Sequence, residues 1–240
     1  MERKIKKRLL NAFALGCLAV ILLPALNNPT PAKAVNPTTY SIDDANSLWV
    51  VVNKQRPLKP LKYVPKDLVT PRFSASLNAN PYGRQARADA AKAIVDLAVA
   101  MNAEGSGKLV IQSAYRPFSE QKSIYTRQVK RYGKKVGEAL AARPGYSEHQ
   151  TGLAIDVSAR GQGCQIRVCF GQTKAGYWLK ANAYKYGFIT RYPKYATFYT
   201  GYQYEPWHLR FIGVDLATQL HEAKVITLEK FFLLPAAPNY

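Results

Sequence analysis

Apolar and polar positions alternate in two stretches of the chain and recur at helical spacing in several others. From Gly152 to Ser158, Leu153, Ile155 and Val157 take one side while Ala154, Asp156 and Ser158 take the other. From Trp207 to Ile212, Trp207, Leu209 and Phe211 share one face, and His208, Arg210 and Ile212 share the opposite one. Both stretches predict short strands. Lys108–Ser113 is short, apolar and β-branched, and Gly187–Tyr192 has the same character, so two more strands are expected. Between about Gln85 and Ala103, the residues Ala86, Ala90, Ala93, Ile94, Leu97, Ala98 and Met101 recur every three or four positions and predict the first strong helix. Gly105 and Gly107 end it. Pro117 and Ser119 open another helix running to about Tyr132, with Ser119 as its expected N-cap. Gly137–Ala142 reads as a further turn or two, stopped by Pro144-Gly145. Thr173–Tyr186 and Val214–Ala223 also read as helices.

The remaining segments are less regular. Leu48–Val52 is a short apolar run, and Pro57, Pro60, Pro65 and Pro71 make the next stretch an extended arm rather than a helix. No internal repeat is visible. Helices and strands mix without regular βαβ spacing. The expectation is an α+β domain whose small, mostly antiparallel sheet is flanked by helices. It should span residues 48–228, after a Pro/Thr-rich linker at 35–47 and before a C-terminal tail at 229–240.

The N-terminus adds a location. Met1–Arg8 is basic, Leu9–Leu26 is nearly uncharged and apolar, and Ala32-Lys33-Ala34 supplies small residues flanking one position. That order is a secretory signal, and cleavage after Ala34 is favoured over an uncleaved membrane anchor. The apolar stretch is close to the roughly 17-residue minimum for a span and contains Pro24. The protein should therefore act outside the cytoplasmic membrane, secreted or in the cell envelope, and touch the membrane only if that segment is retained. A monomer is expected.

Charge narrows the partners. Across 240 residues, 34 Lys and Arg oppose 15 Asp and Glu, a formal net charge of +19. Loss of residues 1–34 removes six basic residues and one acidic one, leaving 28 against 14. A basic protein outside the cytoplasm suits anionic envelope polymers. A nucleic-acid partner is not expected, because no nucleic-acid motif accompanies the charge. Besides Cys17, the cysteines are Cys164 and Cys169. In an oxidising compartment a local disulfide is favoured over two free thiols. A zinc knuckle is set aside, since such sites usually take four Cys or His ligands.

The candidate chemistry lies in two short segments. Ser147-Glu148-His149-Gln150-Thr151-Gly152-Leu153-Ala154-Ile155-Asp156 holds one of the three histidines, and Glu205-Pro206-Trp207-His208 holds another. Catalytic zinc takes three protein ligands and keeps a position for water. His149, Asp156 and His208 could supply two imidazoles and a carboxylate. Asp156 and His208 each point to the polar face of a short strand, so pairing of those strands would bring them together. Gly152 can bend the backbone between His149 and its strand. Glu205, three residues from His208, is the natural candidate for the base that activates water. Taken one at a time, each of these is more often a surface or capping residue. His221 reads as one. Arg116, between a predicted strand and a helix, could clamp a carboxylate or be one more surface charge, and its spacing does not decide.

Ser113-Ala-Tyr-Arg116, Pro144-Gly-Tyr-Ser-Glu-His-Gln-Thr-Gly-Leu-Ala-Ile-Asp156 and Glu205-Pro-Trp-His-Leu-Arg-Phe211 together resemble the VanY-type D-alanyl-D-alanine carboxypeptidases, within the LAS group of zinc peptidases. The resemblance runs from about Leu48 to Leu228. It implies that His149, Asp156 and His208 bind Zn2+ and that Glu205 is the catalytic base. It gives Arg116 two roles, holding substrate and stabilising developing charge. It assigns Gln121 and Ser147 contacts with the terminal D-alanine carboxylate. The implied activity is D,D-carboxypeptidase trimming of peptidoglycan stem peptides. An L,D-carboxypeptidase acting on tetrapeptide stems and an endopeptidase of the same zinc group share the motifs. A non-catalytic wall-binding module would leave Glu205 without a task.

Overall fold

In a computed structural model, residues 40–240 are described, and the signal segment read at 1–34 lies outside them. Four short strands form one antiparallel sheet: β3 (Leu109–Ser113), β4 (Ala154–Ala159), β5 (Phe188–Tyr192) and β6 (Glu205–Phe211), in the spatial order β3-β4-β6-β5. β1 (Leu68–Val69) and β2 (Ala86–Arg87) make a separate two-stranded ribbon. The helices are α1 (Ala88–Ala103), α2 (Phe118–Leu140), α3 (Lys174–Asn182), α4 (Thr197–Thr200), α5 (Val214–Glu222) and α6 (Leu228–Phe231). This is the expected α+β arrangement. Among the described residues, no helix is long and apolar enough to cross a membrane.

The sheet has two unlike faces. Ile111, Ile155, Val157 and Leu209 join Ile94, Leu97 and Met101 of α1 and Trp178 and Leu179 of α3 in the main apolar core. Asp156, Ser158, His208 and Arg210 occupy the alternate positions of β4 and β6, and they are buried too. Alternation therefore separates an apolar buried face from a polar buried face, not inside from outside. A smaller apolar cluster of Val51, Ile212, Leu216, Leu220 and Leu228 seats α5 and α6.

Several boundaries move from their expected places, each for a local reason. The first helix starts at Ala88, because Ala86 and Arg87 pair with Val69 and Leu68. α2 starts at Phe118, with extended Pro117 as its N-cap, so Ser119 lies inside the helix and does not cap it. The break expected after Tyr132 is present, because Gly133, with φ 76° and ψ 165°, leaves the helical backbone and separates a first stretch of α2 from a second that ends at Leu140. Thr173 caps α3 by accepting a hydrogen bond from the Gly176 N–H at 3.1 Å. The apolar run Leu48–Val52 forms no strand, yet Val50, Val51 and Val52 are buried.

The described part of the segment read as linker, residues 40–47, and the segment read as tail pack onto the domain. Ala45 and Ser47 are buried, and Arg56 pairs with Asp43 at 2.6 Å. Beyond Leu228, Glu229 is fully buried and takes two hydrogen bonds from Arg191 of β5, at 2.6 and 3.0 Å, and one from Asn53 at 3.0 Å. Tyr240 accepts a hydrogen bond from the Arg143 backbone N–H at 2.7 Å. Charged residues rarely go into a protein interior unless paired, which is why Glu229 was not legible as an interior residue. Arg191 and Glu229 are both fully buried, so removing one strands the other. Arg191→Met is expected to cost about 3–5 kcal/mol of folding stability, read as a shift of the urea unfolding midpoint. A cost under about 1 kcal/mol would show that the pair does not hold the C-terminal segment.

A candidate metal centre beside a buried carboxyl

Asp156 and His208 face each other in register across β4 and β6. His149 sits on a short 3-10 turn, Glu148–Thr151, which ends at Gly152 in the left-handed region with φ 71°. That glycine turns the chain from His149 into β4. A side chain there would be strained and would crowd Arg87 and Leu68 at 3.0–3.1 Å. The turn is tied to the end of β3, where the Arg116 N–H donates to the His149 carbonyl at 3.1 Å. The Pro-rich arm holds it from the other side, with Gln150 Nε2 donating to the carbonyls of Leu61 and Tyr63.

Hydrogen bonds define which ring nitrogens are free. His149 Nδ1 lies 2.8 Å from the Ala114 carbonyl, an acceptor, so Nδ1 carries the proton and Nε2 presents a lone pair. That Nε2 is 3.2 Å from Asp156 Oδ2. His208 Nε2 is 3.4 Å from the buried carboxylate of Glu148, so Nε2 carries that proton and Nδ1 is free. This Nδ1 is 3.1 Å from Asp156 Oδ1, a buried oxygen with no hydrogen-bond partner among the described residues. Acceptor lone pairs from three side chains thus converge, with one ligand atom of each inside a 4.8 Å span. Facing acceptors repel unless a cation lies between them, and two imidazoles with one carboxylate suit a divalent metal such as zinc.

The electrostatics agree with that demand for positive charge. Burial disfavours ionised Asp156, but His149 and His208 outweigh it and hold the carboxyl well below its usual range. Burial also disfavours protonated His208, yet the Asp156 and Glu148 carboxylates overcome this and raise it to about 9. Glu148 is fully buried, and Arg210 and Arg191 keep it ionised by donating to its Oε1 at 2.7 and 2.8 Å. Arg210 is anchored in turn by the carbonyls of Leu48 and Val50.

Glu205 opens β6, and the β5–β6 register shifts between Thr190 and Tyr192. This irregularity lets Glu205 approach His208 from three residues away, with its Oε2 3.8 Å from Nδ1. Its side chain is 22% exposed, through a cleft of about 210 Å³. Burial pushes its carboxyl up to about 7, with the neighbouring Asp156 adding to the rise and His208 and Arg116 opposing it. Arg116 follows the end of β3, where β3 bulges between Ile111 and Ser113. Its guanidinium donates to Gln121 Oε1 at 2.7 Å and Ser113 Oγ at 3.2 Å and lies 4.0 Å from Asp156. Gln121 is itself fixed to the Ala142 carbonyl at 2.6 Å.

Every residue singled out from the sequence for metal, base or substrate lines this one cleft, Ser147 and Gln121 included. Cys164 and Cys169 form a disulfide in the loop after β4, and Ile166 of that loop reaches the same cleft. His221 lies apart, exposed and stacked on Tyr184. Glu148, Arg191 and Arg210 received no role from the sequence. Only Arg210 carried a local signal, as a charge flanked by apolar residues in Leu209-Arg210-Phe211.

A His/Asp/His cluster that could hold a metal ion, with an adjacent buried carboxyl on a small antiparallel sheet, is the arrangement of a metal-dependent hydrolase. The model of the family described as VanY, D-alanyl-D-alanine carboxypeptidase, matches residues 83–214, and this chain belongs to that family. It is 41% identical to YodJ of Bacillus subtilis (strain 168) over 192 residues, 80% of this chain and 69% of that one. Among solved structures, it is similar to the LD-carboxypeptidase LdcB, at 41% identity and a TM-score of 0.72, over 79% of this chain and 87% of that one. It is also similar to the vancomycin-resistance D,D-pentapeptidase VanY in complex with Zn(II). There the identity is 30% and the TM-score 0.63, over 78% of this chain and 99% of that one.

Because Glu148 orients His208, Glu148→Gln is expected to weaken binding of a divalent metal roughly 10- to 100-fold. Competition against a chromophoric chelator measures this. Unchanged affinity would mean that Glu148 serves only the fold.

Proposed function

We propose that this protein is a zinc-dependent D,D-carboxypeptidase that removes the terminal D-alanine from peptidoglycan stem peptides outside the cytoplasmic membrane. The observation that carries this reading is the convergence of His149 Nε2, Asp156 and His208 Nδ1 beside Glu205, with Arg116 in the same cleft. His149, Asp156 and His208 are the residues that would hold the ion. Zinc held there would polarise the scissile carbonyl and lower the pKa of water towards about 7.

The chain's own groups do the rest. Arg116 recognises the free carboxylate at the end of the peptide. Gln121 and Ser113 already fix its orientation, so little side-chain freedom is lost on binding. Gln121 and Ser147 complete the carboxylate pocket. Glu205 takes the proton from the attacking water and delivers it to the amine of the departing D-alanine. Burial raises this carboxyl above the ordinary range, which makes it a better acceptor for the proton that it later returns. The strongly basic composition favours retention on anionic wall polymers.

The likeness to LdcB supports an L,D-carboxypeptidase reading. Mass spectrometry of a pentapeptide and tetrapeptide stem mixture separates the two readings. The expected result is loss of one alanine from the pentapeptide alone, abolished by chelator. Loss from the tetrapeptide would replace D,D with L,D. Cleavage of neither peptide by the zinc-loaded protein would sink the carboxypeptidase reading. In the same assay, Glu205→Ala should retain zinc and lose roughly 10²- to 10⁴-fold in turnover. Arg116→Ala should slow free-acid peptides far more than amidated ones.

Glu205 must be ionised to accept a proton, so kcat/KM should rise with pH along an acid limb. Burial places that limb above the ordinary 4.5, and bound metal cation pulls it down from about 7. A pH–rate profile that stays flat from pH 4 to 7.5 would remove Glu205 as the base.

A further inference from the structure

The loop between β4 and α3 is built more firmly than a surface connection requires. Gln162 ties its near end, donating to the Ser106 carbonyl at 2.8 Å and accepting from the Ala175 N–H at 3.0 Å. Phe170, fully buried in the main core, ties its far end. The Cys164–Cys169 disulfide closes the segment between these anchors. Within the closed turn, the Arg167 N–H donates to the Cys164 carbonyl at 3.2 Å.

Ile166 stands at the middle of this turn with a φ of 50°. A β-branched residue in the left-handed region is a backbone outlier, and such conformations persist only where the surroundings impose them. Its side chain remains 41% exposed, yet it lines the cleft that contains Arg116, Glu205 and the metal ligands. An imposed backbone therefore holds an apolar side chain over a polar catalytic cleft.

The proposed substrate supplies a matching group. A stem peptide ending in alanine presents one methyl on each side of the scissile bond. Arg116 and Glu205 are suited to its carboxylate and its amide, and neither recognises a methyl. We infer that the disulfide-closed loop is a specificity element that holds Ile166 against an alanine methyl flanking the scissile bond. This rests on the carboxypeptidase reading and goes beyond it. Ile166 is a binding contact. The disulfide acts through it as a positioning device, by fixing the turn.

The test uses the zinc-loaded protein, the pentapeptide stem and two analogues in which glycine replaces the last or the next-to-last D-alanine. For the wild type, kcat/KM should favour alanine over glycine at one of these positions. In Ile166→Ala that preference should fall roughly 10-fold, the scale set by one methyl in an apolar contact, through KM rather than kcat. Zinc content should not change. Reduction of the folded wild type with a phosphine, which lacks the zinc-binding thiols of a dithiol, should lower the same preference, and it avoids relying on a Cys164→Ser/Cys169→Ser variant that could fail to fold. An alanine preference that survives both Ile166→Ala and reduction overturns the inference while leaving the carboxypeptidase reading intact. Failure of the wild type to release alanine from any of the peptides overturns the carboxypeptidase reading, and this inference falls with it.

Discussion

Register between β4 and β6 is the constraint on which the site depends. Asp156 and His208 are opposite partners across that pair, so one antiparallel alignment brings a carboxylate and an imidazole within 3.1 Å. A slip of one residue would turn Asp156 towards the apolar core and bring Ile155 or Val157 into its place. The apolar face guards against that slip, because Ile155, Val157 and Leu209 are fully buried against α1 and α3. Packing on one side of the sheet thus fixes chemistry on the other.

The polar face carries a cost that the chain offsets with charge. Asp156, Glu148 and Glu229 are buried acids, and Arg191 and Arg210 are buried bases. Glu148 is the junction, accepting from both arginines through Oε1 and facing His208 through Oε2. A neutral hydrogen-bond acceptor would also orient the imidazole. A carboxylate held ionised by two guanidinium groups does more, because it makes the ring a stronger donor of electron density at Nδ1. A buried ion network is poor evidence of stability by itself. Here it joins His208, two strands and the C-terminal segment.

Much of this was legible in the sequence because the relevant signals were local. Two-residue alternation located β4 and β6, and the same alternation put Asp156 and His208 on polar faces. Gly152 marked the turn that brings His149 to them, and the three-residue step from Glu205 to His208 held because the strand is irregular there. What escaped were partnerships between distant residues. Nothing near Arg191 announces Glu229, and nothing near Glu148 announces His208. Ser119 was misplaced as a cap because Pro117 already ends the extended segment, ahead of the cap expected. The Leu48–Val52 run was apolar for burial against other elements and not for pairing in a sheet.

The anchoring of Glu229 also bears on the order in which the molecule becomes competent. A ribosome makes this acid after every side chain of the cleft, some twenty positions beyond His208. Until it arrives, Arg191 has no second carboxylate and must share Glu148 with Arg210, so the support behind His208 is incomplete. The lattice of charge behind the site closes only when that C-terminal segment docks. Loss of the segment would therefore be felt at the cleft, although none of its residues lines it.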